Sequence, residues 1–208
     1  LGKIKKYGMI MIYSLLLTLL IQVSRVDAAE LLNTNSKGNQ VYRLQEQLIK
    51  MGYLQTSPTG YYGSATEDAI KKFQQDTKLS QDGKVGARTY EQMINVEQMA
   101  HIVYGEARGE NYTGKVAVAS VILNRLESPE FPKTISDIIY QKNAFSCIND
   151  GQINFTPNSS AYQAVIDAFK GWDPTLGSVY YYNPTTATNK WIFTRPTVIQ
   201  IDNHTFAR

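Results

Sequence analysis

The chain is poor in the residues that most often carry chemistry. Of its 208 residues, one is cysteine and two are histidine. A single thiol excludes a disulfide scaffold, and so few soft ligands exclude zinc-finger and iron–sulfur sites as well. Charge is also scarce. Charged residues make up 19% of the chain and the formal net charge is +3. Residues 1–28, with Lys3, Lys5, Lys6 and Arg25 against Asp27, hold all of that excess, so the remainder is formally neutral. A neutral body has no electrostatic footprint for nucleic acid, where phosphate neutralisation dominates affinity. With 43% hydrophobic residues the chain is far too apolar to be disordered.

The basic start is followed by an uncharged apolar run from Tyr7 to Val23 and by Val26-Asp27-Ala28, with small or apolar residues at the −3 and −1 positions of a cleavage site. This pattern predicts a secretory signal peptide over residues 1–28. A retained membrane anchor is the alternative, since the run is close to the roughly 17-residue minimum for a span. Both readings place the rest of the protein outside the cytoplasm, with membrane contact only through this segment.

Val41, Leu44, Leu48 and Met51 recur at helical spacing before Gly52, which predicts a helix over Asn39 to Lys50. Ser64-Ala65-Thr66-Glu67 has capping-box spacing, and Ala65, Ala69, Ile70 and Phe73 form an apolar stripe behind it. A third short helix follows Gly86, through Thr89 to Ile94. Two segments repeat a Gly-x-x-Gly-x-x-Thr pattern, Gly60 to Thr66 and Gly83 to Thr89, each a tight turn that launches a helix. Together with Leu44-Gln45, Ala69-Ile70 and Phe73-Gln74, these blocks resemble the peptidoglycan-binding module of bacterial cell-wall hydrolases. The resemblance covers residues 36–95 and implies a bundle of three short helices. Tyr61 or Tyr62 is a candidate for stacking on a sugar, against a packing role.

The second part, residues 97–208, opens on a helix from Met99 that reaches Tyr104-Gly105-Glu106-Ala107-Arg108-Gly109-Glu110 and ends there, because two glycines so close together are costly inside a helix. Val116 to Leu126 is apolar on most faces, as in a central core helix. Ile135 to Tyr140 and Ala161 to Phe169, the latter capped by Ser159 or Ser160, read as further helices. Val179 to Pro184 and Trp191 to Phe193 read as short aromatic strands.

Three chemistries compete for this part. Glu106 and Glu110 sit at i and i+4, a spacing that puts two carboxylates on one face if the helix persists; such pairs are also common on solvated faces. A metal hydrolase needs three ligands around an open position, and His101 and His204 are the only histidines; neither a metal nor a cofactor is expected. A thiol peptidase needs a histidine-activated cysteine, and Cys147 precedes His204, but Phe145-Ser146-Cys147 equally reads as a core segment.

The ordered blocks Met99 to Glu110, Gly114 to Arg125, Phe131-Pro132, Ala144-Phe145, Gly151-Gln152-Ile153, Gly171-Trp172-Asp173-Pro174, Tyr181-Tyr182-Asn183-Pro184, Lys190-Trp191 and His204-x-Phe206 resemble the spore cortex-lytic cell-wall hydrolases of the SleB/CwlJ family, with the binding module of the SleB branch. The resemblance implies an all-α three-helix peptidoglycan-binding module followed by an α+β lysozyme-like, lytic transglycosylase-like catalytic domain. It further implies a germination enzyme that cleaves cortex glycan between N-acetylmuramic acid and N-acetylglucosamine, with muramic-δ-lactam recognised. The family's catalytic glutamate falls on Glu106. Acid duty near neutral pH needs a raised pKa, hence apolar neighbours, for which Tyr104, Phe145 and Tyr182 are candidates. Tyr181, Tyr182, Asn183, Trp191 and His204 are candidate sugar contacts, and Glu110 becomes a supporting residue paired with Arg108 or Arg125. Asp202 stands where the family pattern leads one to expect glycine. The partner implied is peptidoglycan, with a regulatory partner protein left open. The rival readings are an amidase or peptidase cutting the stem peptide and a non-catalytic wall-binding protein.

Overall fold

The computed structural model describes residues 31–208; the signal peptide expected over residues 1–28 lies outside the described residues. Helix α1 spans Asn39–Lys50, as the apolar spacing predicts, and α2 spans Ser64–Asp76. Their turns are organised by two buried glutamines. Gln45 Oε1 accepts from the N–H groups of Thr59 and Gly60, while its Nε2 donates to Tyr61 O and Thr66 Oγ1. Gln74 does the same for the second repeat, accepting from Gly83 N–H and donating to Lys84 O and Thr89 Oγ1. The repeated motif is therefore a turn whose buried backbone groups are satisfied by a glutamine of the preceding helix. Gly60 and Gly83 adopt φ of 70° and 67°, the left-handed region glycine enters without steric cost.

Two local expectations give way here. The cap of α2 is Gly63 without a side-chain bond. Glu67, instead of reaching back to close a capping box, accepts from Lys71 Nζ at 2.5 Å and Thr34 Oγ1 at 2.6 Å. Ala65 faces solvent and Thr66 takes its place in the interior, drawn in by Gln45.

The third helix is not short. Helix α3 runs unbroken over Ala87–Ala107, about 30 Å at 1.5 Å per residue, and crosses residue 96, where the sequence reading places the boundary between modules. No glycine or proline lies between Gly86 and Gly105, so nothing interrupts its hydrogen bonds. One continuous core extends from Leu32 and Val41 through Met93, Val96 and Met99 to Val165 and Phe169.

Helix α4, Tyr112–Glu127, is the central element, with residues Val116 to Ile122 all buried. The short helix α5, Ile135–Ile139, and a single turn α6, Ser146–Asn149, precede α7, Ser159–Phe169. The cap of α7 is Asn158, whose side chain accepts from Ala161 N–H, rather than either serine. Strands β1 (Tyr180–Tyr182), β2 (Thr197–Ile201) and β3 (His204–Ala207) form an antiparallel sheet in the order β1-β3-β2, with Tyr181 opposite Phe206 and Ile201 opposite His204. Phe206 packs on Ala117 and Val121 of α4. Trp191 to Phe193, expected as a strand, form part of a 3-10 helix over Lys190–Thr194, because the Asn189 side chain captures Trp191 N–H and turns the backbone. Among the described residues no helix is long and apolar enough to cross a membrane.

Candidate active site

A cleft of about 970 Å³ opens between the end of α3, the α6 turn and the β1 strand. Glu106, on the last turn of α3, lies in it and is held by two adjacent residues of α6. Cys147 N–H donates to Oε1 at 2.7 Å, and Ser146 Oγ lies 3.0 Å and 3.1 Å from the two carboxyl oxygens. Tyr181 lines the same cleft. Burial, and then the negative charge of Glu106, hold its phenol well above the ordinary tyrosine range, so it stays protonated.

The contact between α3 and α6 depends on Gly105. A Cβ there would lie 2.6 Å from Cys147 Cβ, so only glycine lets the α6 turn approach closely enough to aim an amide at Glu106. Cys147 itself is 1% exposed, and burial together with the Glu106 carboxylate pushes its thiol pKa up. Such a thiol is inert rather than nucleophilic. Among the described residues no hydrogen bond joins it to His204.

Arg125 lies beneath the cleft wall, 6% exposed. Its guanidinium stacks 5.1 Å from the Phe145 ring and 5.3 Å from Phe131, and its Nε donates to Val179 O at 2.8 Å. Burial lowers its pKa, an effect opposed by Tyr181, Tyr180 and Glu106; an arginine so placed remains charged and sets a positive charge behind the carboxylate.

Of the residues expected at the site, Phe145, Tyr181, Tyr182, Asn183, Trp191 and His204 all line the cleft with Glu106. Tyr104 does not. Two residues before Glu106 on a helix lies about 200° around the axis, and Tyr104 packs against the core instead. Trp191 is 47% exposed, edge-on to Tyr180 at 5.2 Å, with the Arg195 guanidinium 4.8 Å from its ring. Tyr182 packs edge-on against Phe193, and the Asn183 side-chain oxygen accepts from Thr185 N–H, which fixes the following turn. His204 is 8% exposed and sits edge-on to Tyr181 at 5.1 Å. Burial lowers its pKa, against the opposing charges of Glu110, Glu106 and Asp202.

Glu110 pairs with neither arginine. Its oxygens accept from Asn203 N–H and Asn203 Nδ2, tying the β2–β3 hairpin to the loop after α3. Asp202, beside it, holds φ of 50° in the tight turn, a conformation asparagine and aspartate tolerate, and its carboxylate accepts from Asn111 N–H at 2.6 Å. An acid here braces the N-terminus of α4. Sequence reasoning missed Ser146, Tyr180 and the role of the Cys147 amide. Ser146 stands 40 residues from Glu106, and no periodicity reports a contact at that separation.

A three-helix module thus runs through α3 into a cleft where a glutamate is held by a backbone amide and a serine, and comparison with known proteins gives the class. Residues 109–207 match the Cell Wall Hydrolase family and residues 37–93 a peptidoglycan binding domain. The spore cortex-lytic enzyme of Bacillus cereus is 35% identical over 235 residues, covering 90% of this chain and 91% of the relative. The protein of that name from Oceanobacillus iheyensis is 54% identical over 114 residues, 55% of this chain and 41% of its own length. The catalytic domain of germination-specific lytic transglycosylase SleB from Bacillus anthracis superposes with a TM-score of 0.53 at 54% identity, over 55% of this chain and 93% of that one. The chain belongs to the spore cortex-lytic enzyme family.

Proposed function

We propose that the protein is an exported lytic transglycosylase that cleaves the glycan of spore cortex peptidoglycan during germination, with residues 36–95 binding the wall and residues 97–208 carrying the chemistry. The observation that carries this reading is the pair of donors aimed at one carboxyl group of the cleft. Glu106 lies in the cleft with its oxygens held by Ser146 and Cys147, whereas the Glu110 carboxylate is spent on Asn203 and Glu130, at the cleft rim, is exposed.

One carboxyl group is enough for this reaction. Protonated Glu106 donates to the glycosidic oxygen between N-acetylmuramic acid and N-acetylglucosamine, and the leaving sugar departs with that proton. The carboxylate then removes the proton of the muramyl C6 hydroxyl, whose oxygen closes on C1 to give the 1,6-anhydro ring. The substrate's own acetamido group stabilises the oxocarbenium-like charge, the substrate-assisted alternative to a second carboxylate. Ser146 and the Cys147 amide hold the carboxyl group, and Tyr180, Tyr182 and Trp191 offer ring faces for pyranose stacking.

Mass spectrometry of fragments released from purified cortex peptidoglycan tests the reading. Anhydromuramic ends that vanish in Glu106→Gln are expected. Reducing ends would make the enzyme a hydrolytic glycosidase, and cut stems on intact glycan would overturn the reading.

A further inference from the structure

Arg125 is a buried cation whose donors are mostly unused. It stands in the last turn of α4 beside Asn124, whose Nδ2 donates to Asp173 Oδ2, Thr175 Oγ1 and Ser178 O and so pins the segment that supplies Val179 O. Arg125 Nε donates to that carbonyl at 2.8 Å, which engages one of the five N–H donors of a guanidinium. The other four, on the two terminal nitrogens, meet no acceptor among the described residues, and neither nitrogen is enclosed by protein.

The open side of the group belongs to the cleft. Arg125 itself lines it, and so do Phe131 and Phe145, whose rings flank the guanidinium at 5.3 Å and 5.1 Å. Ring faces favour the charge but leave the N–H groups without acceptors. Among the described residues no carboxylate forms an ion pair with Arg125. Burial works against its charge, and Tyr181, Tyr180 and Glu106 work for it, so it lies within electrostatic reach of the proposed acid without touching it. A charge taken out of water and left unpaired is costly, and an acceptor brought by the ligand offsets that cost.

The proposed substrate alternates two sugars that differ in one group. Both carry an acetamido arm and both offer a face to the aromatic rings of the cleft, but N-acetylmuramic acid alone carries a lactyl ether on O3. A strand that slips by one sugar therefore keeps its stacking and presents the wrong bond to Glu106. We infer that Arg125 sets the register of the strand, its terminal N–H groups receiving the acyl oxygen of the lactyl group so that the muramyl residue sits beside Glu106. Whether that acyl group is a free carboxylate or an amide, its oxygen only accepts, which suits a side chain that only donates. A carboxylate adds a second oxygen for the planar fork. The inference rests on the proposed glycan substrate and adds to it a specificity-determining residue.

The full chain carrying Glu106→Gln, titrated by NMR and read at the Trp191 indole N–H in the cleft, tests it with three tetrasaccharides: alternating N-acetylglucosamine and N-acetylmuramic acid with free lactyl carboxylates, the same strand with those carboxylates converted to methylamides, and N-acetylglucosamine alone. Both muramyl strands are expected to bind at least about tenfold more tightly than the glucosamine strand, the worth of one charge-assisted hydrogen bond, and the carboxylate form more tightly than the amide. Adding Arg125→Met is expected to abolish that preference and to leave the glucosamine strand's affinity unchanged, which separates a lost contact from a disturbed cleft. Arg125→Lys, which keeps the charge without the fork, is expected to retain part of the preference. Equal affinities for muramyl and glucosamine strands, a preference that survives Arg125→Met, or equal weakening of all three strands by it would overturn the inference. Should neither variant fold, the comparison of the three strands on the arginine-bearing chain decides, with equal affinities counting against the inference. Absence of anhydromuramic ends from the products of the unmodified enzyme is read separately and bears only on the proposed function.

Discussion

Cys147 meets Glu106 through its backbone and Gly105 through its side chain: the N–H donates to the carboxylate at 2.7 Å, and the Cβ occupies the space a side chain at 105 would need. The residue that looks like a nucleophile in the sequence is thus a spacer that sets the distance between two segments 41 residues apart.

Gly105→Ala is expected to cost about 1–3 kcal/mol of stability through overpacking and to lower kcat by about 100-fold, because α6 must retreat and take its amide from Glu106. Cys147→Ala is not expected to rescue it, since the Cβ remains; Cys147→Gly is expected to rescue part of it. Thermal denaturation and kcat of the two double variants check this.

Iodoacetamide is expected to leave the native protein unmodified over the time in which it alkylates the unfolded chain, because burial and the neighbouring Glu106 charge keep the Cys147 thiol protonated. Cys147→Ala is expected to retain glycan cleavage at a stability cost of about 1 kcal/mol. Mass analysis of alkylated protein and the activity of the variant check both. Loss of activity with an intact fold would revive the thiol reading.

His204 is expected to make stability fall with acid. Its folded-state pKa is lowered, so near its ordinary pKa of about 6.5 the unfolded chain binds the proton first. The His204 contribution is intact above that value and is lost as pH falls from it toward the folded-state pKa. Denaturant titrations at pH 7.5 and 5.5 should show a smaller loss for His204→Asn than for the unmodified protein, and an equal loss would count against this burial effect.

Gln74→Leu is expected to destabilise the protein by about 2–4 kcal/mol, since Gly83 N–H and Lys84 O lose a buried partner together. Gln45→Leu should cost about as much for the matching reason. Chemical denaturation with a single slope change would also show whether the shared helix α3 makes both halves unfold together.

Much of this protein was legible in one dimension. The period of Val41, Leu44 and Leu48 fixed α1 to the residue, because helical packing writes its spacing directly into the chain. The glycine pair after Tyr104 marked the end of α3 for the same local reason. The repeat was visible as well, although its cause, a glutamine filling each turn, was not. Where sequence and structure part, a longer-range partner has overridden a local preference: Lys71 and Thr34 claim Glu67 from the capping box, and Asn203 claims Glu110 from the arginines. Glu106 could be singled out by resemblance, but its setting could not. The sequence alone determined α1, the places of α2, α4, α5 and α7, and the order of the modules, all governed by contacts within a few residues. Only the tertiary structure decided that one helix carries both modules, that Ser146 and Cys147 converge on one carboxylate in a cleft lined by Tyr181, and that Tyr104 stays out of it, because a site built from segments 40 residues and more apart exists only once packing has brought them together.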